Sequence, residues 1–175
     1  MKKTNYRWVI RIVLISIAAT MVFTVASSEL LDRAGSILAL AILILFICIG
    51  IVFDMIGAAV MSAQEAPFHS MASHRERGAA EALKLLRNAE KTSSICNDVV
   101  GDVTGIVSGA TAALVASQLM VTLDTEGILL KLTMSAAVAG LTIGGKAAGK
   151  TIALNNSTAI VLRAGKFINF FRIKK

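Results

Sequence analysis

Two aspartates stand where an apolar segment begins, and a third lies near the far end of another. Asp98 and Asp102 are four residues apart, so an α-helix places them on one face. Asp54 follows a long uncharged run, where it either reaches the interface or turns inward toward a polar partner. A carboxylate at the mouth of a membrane span is costly unless it meets water, a cation or a basic side chain. These acids therefore either bind a cationic group or merely mark the membrane interface.

Glycines accompany the acids at a spacing that suits close helix contact. Gly101, Gly105 and Gly109 recur every fourth residue after the hydroxyl residues at Ser93 and Ser94, which are suited to capping a helix start. A later segment repeats the small-residue spacing at Ala136, Gly140 and Gly144. We therefore predict that these two helices press their glycine faces together.

The composition requires a membrane around these residues. Hydrophobic residues make up 55% of the chain, with only one proline among 175 residues, so too little polar surface remains to cover a soluble core. The net charge of +7 would suggest nucleic acid for a soluble chain, but here we expect it to set topology, and we expect no nucleic-acid partner. Cys48 and Cys96 form neither a disulfide framework nor a zinc spacing.

Four apolar runs are long enough, or nearly so, to cross a bilayer, and only the last contains a charged residue, Lys131, which lies close enough to the start of the run to snorkel. They cover residues 12–28, 34–53, 103–123 and 128–145. The first also resembles a cleaved signal peptide, although we favour a retained span because the following chain is itself apolar. The fold predicted is all-α, a polytopic helical membrane protein of about four spans.

Charged segments surround these spans and set their orientation. Residues 62–92 predict a juxtamembrane helical linker, and residues 157–173 predict a basic amphipathic helix that rests on anionic lipid. Together with the N-terminal tail, these segments carry nearly all the lysines and arginines. The positive-inside rule therefore predicts a multi-pass protein of the plasma membrane with both termini cytoplasmic.

One nucleotide-binding pattern is present but lacks its structural context. The residues from Gly144 to Thr151 fit GxxxxGK[ST], a loop that cradles phosphates only between a strand and a helix of a larger sheet. An apolar span precedes this pattern, so we expect no nucleotide. No nucleophile with a positioned base is identifiable, so we expect no enzyme activity. His69 and His74 are five residues apart and do not share a helical face, so we expect them to bind no metal.

The order of parts resembles the membrane domain of the CNNM and CorC-type magnesium transport proteins. The matching text is FDMIGAAVMSA at 53–63, RGAAEALKLLRNAEK at 77–91, the segment 93–109, and GGKAAGKTIALNN at 144–156. The resemblance makes residues 34–175 the family-like domain, without the family's nucleotide-sensing CBS domains. Residues 1–33 are then an additional N-terminal span.

The resemblance implies a homodimer that holds a Mg²⁺ ion between its spans through oxygen ligands. The family's first-span serine falls near Asp54 and its first-span glutamate near Gly57. Its second-span ligands fall near Asn97, Asp98 or Asp102. The candidate metal ligands are therefore Asp54, Asn97, Asp98 and Asp102.

Lys146 departs from the family pattern, because it occupies the position of the third-span glutamate. An ammonium repels a divalent cation and offers no lone pair. Either Lys146 replaces the ion by pairing with Asp54 or Asp102, or the aspartates rebuild an oxygen site without it. The first alternative implies a degenerate, non-transporting interaction or regulatory protein, and the second implies a role in divalent cation transport or homeostasis.

Overall fold

A computed structural model describes residues 6–33, 36–122 and 128–173 of the chain. Within these ranges the chain is helical and contains no strand. The elements are α1 Tyr6–Arg33, α2 Ser36–Ser62, α3 Ala66–Ser73, α4 Ala79–Arg87, α5 Ala89–Ser94, a π-helical segment Ile95–Gly101, α6 Asp102–Thr122, α7 Ile128–Asn155 and α8 Ser157–Ile173. The acidic residues Asp124 and Glu126, between the last two predicted spans, and the basic residues Lys2, Lys3, Lys174 and Lys175 lie outside the described residues.

Three of the described helical segments are long and apolar enough to cross a membrane. They are Tyr6–Ala26, Leu38–Ser62 and Ala89–Gln118. This confirms the predicted all-α class and gives the chain the character of a helical membrane protein. The fourth predicted span, residues 128–145, lies inside the helix α7, and its crossing of the membrane stays a prediction.

The chain divides into two compact units, of which the first combines residues 1–50 with 99–145. Here α1 packs along α6, and the Phe23 and Phe46 rings meet edge to face at 5.9 Å. Gly50 brings α2 close to α6, since a Cβ at Gly50 would lie 2.5 Å from Thr104 Oγ1. Small residues thus permit close helix contact here, at a glycine outside the predicted strips.

The predicted glycine contact between α6 and α7 is wrong. A Cβ added to Gly105, Gly109, Gly140 or Gly144 would meet nothing within 4 Å. Gly105 and Gly109 line a cavity of about 220 Å³, across which α7 presents other side chains, namely Ser135, Val138, Ala139, Thr142 and Ile143. Helix rotation, which the small-residue spacing does not set, turns Gly140 and Gly144 away from that cavity.

The second unit combines residues 51–98 with 146–175. Its buried core joins the end of α2 to the short helices and to α8, through Ala59, Val60, Phe68, Ala82, Leu83, Leu86, Ala153 and Val161. The segment predicted as a helical linker consists of the helices α3, α4 and α5. The predicted C-terminal helix at 157–173 is confirmed as α8, whose Val161 and Gly165 lie buried.

Candidate functional site

Asp54 is a buried carboxylate within an apolar helix. It lies on α2 inside the span Leu38–Ser62 and is only 3% exposed. Lys150 of α7 places its Nζ 3.3 Å from Asp54 Oδ2. The contact lacks the alignment of a hydrogen bond and is therefore an ion pair held by charge alone. A buried acid needs such a partner, because an isolated charge in an apolar interior is strongly destabilising.

Gly149 allows α7 to pack close enough to α2 for Lys150 to reach Asp54. A Cβ at Gly149 would lie 2.8 Å from Met55 Cγ and 3.3 Å from Ile51 Cγ2, so the two helices touch at this glycine. Gly149 is buried, and Lys150 follows it directly along α7. The GxxxxGK[ST] pattern is thus part of a continuous helix, and its glycine and lysine serve helix packing and the ion pair.

Lys150 is the residue that sequence reasoning missed at this site. The resemblance assigned the cation-replacing role to Lys146, which lies one turn earlier on α7 and is half-buried. The structure shows Lys150 as the ion-pair partner of Asp54. Gly149 could have indicated this role for Lys150. A lysine next to a glycine at a close helix contact is held near an acid on the neighbouring helix.

Asn97 lies on a π-helical segment that faces α2. Its Nδ2 donates a hydrogen bond to Ser93 Oγ at 3.2 Å, while its Oδ1 is buried and has no hydrogen-bond partner. The amide fills the space of a missing side chain at Gly57, whose Cβ would overlap Asn97 Oδ1. Single π-turns occur often at functional sites, because the widened turn frees backbone groups and re-aims side chains. The Oδ1 atom of Asn97 is thus a buried acceptor that could bind a hydrogen-bond donor or a cation.

The predicted helix start at Ser93 and Ser94 is wrong. The helix α5 begins at Ala89, with Asn88 at its N-cap position, and runs directly into the π-helical segment. Ser93 is buried and uses its hydroxyl to accept the bond from Asn97. The serine pattern is therefore a polar contact inside the helix, not a cap.

The candidate ligands differ in their surroundings. Asp54 and Asn97 approach the same side of α2, because Gly57 lies one turn after Asp54. Asp98 and Asp102 are exposed. Among the described residues, no three His, Cys, Asp or Glu side chains converge as a metal cluster. The structure thus groups one acid, one amide oxygen and one lysine, and the wider ligand set stays a prediction.

Comparisons of this chain with models of protein families, with curated proteins and with solved structures find no match. The family resemblance therefore depends on the motifs of the sequence itself, and a function has to be argued from the polar groups around Asp54 and Asn97.

Proposed function

We propose that this chain binds a divalent cation, chiefly Mg²⁺, inside its membrane domain and serves in the transport or homeostasis of that cation. The observation that carries the proposal is the buried Asp54 carboxylate, whose ion-pair partner is the half-exposed ammonium of Lys150. Lys150 then acts as an internal substitute that a free cation displaces.

The oxygen chemistry near α2 supports a hard cation as the ligand. Mg²⁺ prefers carboxylate and amide oxygens and retains several waters when it binds. Asp54 supplies the charge, and Asn97 supplies a buried carbonyl oxygen without a hydrogen bond. An unsatisfied buried acceptor costs about 1–3 kcal/mol, which a cation or its bound water can offset.

The exposure of Lys150 supports a displaceable partner. Its side chain is 52% exposed, whereas the side chain of Asp54 is 4% exposed. The ammonium can thus move away on its flexible stem while the carboxylate cannot follow. Once the ammonium leaves, the buried carboxylate requires another cation, so occupancy by Mg²⁺ and pairing with Lys150 exclude each other.

The test is Mg²⁺ binding and flux by the purified chain in liposomes. We expect binding by the native chain, tighter binding by Lys150→Gln, and loss of binding by Asp54→Asn. Lys150→Arg is the matched control, since it keeps the positive charge and should bind no more tightly than the native chain. Unchanged binding in both Asp54→Asn and Lys150→Gln would overturn this site.

The same ion pair also supports a second proposal, in which the chain does not transport a cation. If Lys150 never leaves Asp54, the pair is a fixed structural element and the chain is a non-transporting interaction or regulatory protein of the membrane. In that case the native chain moves no Mg²⁺ at any concentration, whereas Lys150→Gln or Lys146→Glu gains binding. Flux in the native chain therefore separates the two proposals.

We further propose that the chain forms a homodimer, with its spans in the plasma membrane and both termini on the cytoplasmic side. The family resemblance supports the dimer. The exposed Gly140 and Gly144 of α7 support it as well, because a second helix can approach a glycine surface closely.

A further inference from the structure

A charged cavity lies beside α8 in the second unit. It measures about 470 Å³ and is lined by Glu76, Arg77, Lys166, Asn169 and Phe170. We propose that this cavity binds the headgroup of an anionic phospholipid, with Arg77 and Lys166 holding the phosphate and Phe170 beside the lipid's apolar part. This site is separate from the cation site and does not depend on the proposed function.

The position of α8 places this cavity at a membrane surface. Val161 of α8 belongs to the same buried core as Ala59 and Val60, which lie in the last turn of the span Leu38–Ser62. The end of that span is where the apolar bilayer core meets the headgroups. The helix α8 is therefore fixed at headgroup level by direct packing.

The exposed face of α8 carries the residue types that are typical of the membrane interface. Phe167, Phe170 and Phe171 are exposed and their rings contact one another, at 4.9 Å for Phe167 with Phe171 and 5.7 Å for Phe170 with Phe171. Arg163 and Lys166 are exposed on the same helix. Aromatic and basic residues together are typical of helices that lie in the interface and attract anionic lipid.

The basic side chains that line the cavity are available to bind a phosphate. Arg77 makes no ion pair with any residue that the structure describes. Lys166 Nζ lies 3.1 Å from Glu76 Oε1, but both side chains are well exposed, and an exposed ion pair contributes little stability. Asn169 adds an amide that makes no hydrogen bond within the described ranges. Two cationic groups and an amide donor thus remain for the phosphate oxygens.

The cavity is also held in shape by its neighbours. Gly78 adopts a left-handed φ of +84° directly after Arg77, and a Cβ there would lie 2.5 Å from the Lys166 amide nitrogen. The backbones that carry Arg77 and Lys166 are therefore in direct contact. Binding a headgroup would order side chains but would not require the backbone to move, which lowers the entropic cost of binding.

The first experiment counts lipids bound to the full chain in non-ionic detergent by native mass spectrometry. We expect phosphatidylglycerol to bind and phosphatidylcholine to bind at least tenfold more weakly. Arg77→Gln and Lys166→Gln should each weaken phosphatidylglycerol binding about fivefold. Lys84→Gln is the matched control, because Lys84 is an exposed lysine of α4 outside the cavity, and it should change binding less than twofold.

The second experiment locates the bound lipid. With Trp8→Phe as background, Phe170→Trp supplies a single fluorophore, which brominated phosphatidylglycerol should quench and brominated phosphatidylcholine should not. If Phe170→Trp does not fold, the charge variants still decide the outcome. Equal binding of both lipids, an equal effect of Lys84→Gln, or competition by inorganic phosphate alone would each overturn the proposal.

Discussion

Gly165 of α8 lies directly on Gly78 at the start of α4. A Cβ at Gly165 would overlap the carbonyl oxygen of Gly78 and would lie 2.9 Å from the Ala82 amide nitrogen. The Ala82 amide donates to that same carbonyl at 2.9 Å, so a side chain at Gly165 would disturb the first hydrogen bond of α4. Two glycines thus set the distance between α8 and the start of α4, next to the charged cavity that Glu76, Arg77 and α8 line.

Substitution of either glycine should separate α4 from α8. We expect Gly165→Ala to lower the free energy of unfolding by about 1–3 kcal/mol, as overpacking against backbone does. Gly78→Ala should cost about 1–2 kcal/mol for its left-handed φ before any contact is counted. Thermal unfolding followed by circular dichroism measures both. The control Gly109→Ala adds a methyl that meets no atom within 4 Å and should be neutral or slightly stabilising; a comparable loss there would contradict this account.

Removal of the lysine alone should harm the protein more than removal of both charges. Lys150→Met leaves Asp54 buried and unpaired, which we expect to cost roughly 1–3 kcal/mol of unfolding free energy. Asp54→Asn combined with Lys150→Met removes both charges and should recover most of that loss. A double-mutant cycle in the absence of divalent cation measures the coupling. Additive effects would mean that the pair contributes nothing to stability.

Divalent cation should rescue Lys150→Met but not the double variant. The proposed site exchanges the ammonium for the ion, so Mg²⁺ should raise the unfolding temperature of Lys150→Met in proportion to the logarithm of its concentration. Asp54→Asn with Lys150→Met should show no such rise. Rescue by K⁺ at equal ionic strength would point to screening rather than to a bound divalent ion.

Gly57→Ala should displace Asn97 from its place against α2. The added methyl would overlap Asn97 Oδ1, so the amide must rotate and lose its hydrogen bond to Ser93, at a cost of about 1 kcal/mol. If Asn97 is a ligand, Mg²⁺ binding weakens as well. Gly105→Ala, whose methyl would meet open space, is the matched control. Equal Mg²⁺ affinity in native chain and Gly57→Ala would remove Asn97 from the proposed ligands.

A bulky residue on the open glycine face should separate a dimer without unfolding the protomer. Gly140→Leu and Gly144→Leu meet no atom within 4 Å at their Cβ and lie on the exposed side of α7, so they should keep their helix content. Cross-linking or light scattering in detergent should show a shift from dimer to monomer. Gly50→Leu offers a contrast, since it clashes within the protomer itself. A monomeric native chain would contradict the proposed dimer.

Features that depend on local pattern were predictable from the order of residues alone. The apolar runs predicted helices of membrane-spanning character, and the charge pattern predicted α8 over its full observed range, Ser157–Ile173. The acid at Asp54 was also recognisable as a residue that needs a partner. These features follow from hydropathy and helical periodicity, which depend only on residues that are near one another in the sequence.

Which helix surfaces contact one another was not predictable in the same way. Glycines at 50, 57, 149 and 165 lie against other helices, whereas an added Cβ would meet no atom within 4 Å at the regularly spaced glycines 105, 109, 140 and 144. Lys150 reached Asp54, and a π-helical segment replaced the predicted helix start at Ser93. Each of these outcomes depends on how far a helix rotates and slides against its neighbour. That rotation is set by the packing of side chains distant in sequence, which spacing along one helix does not encode.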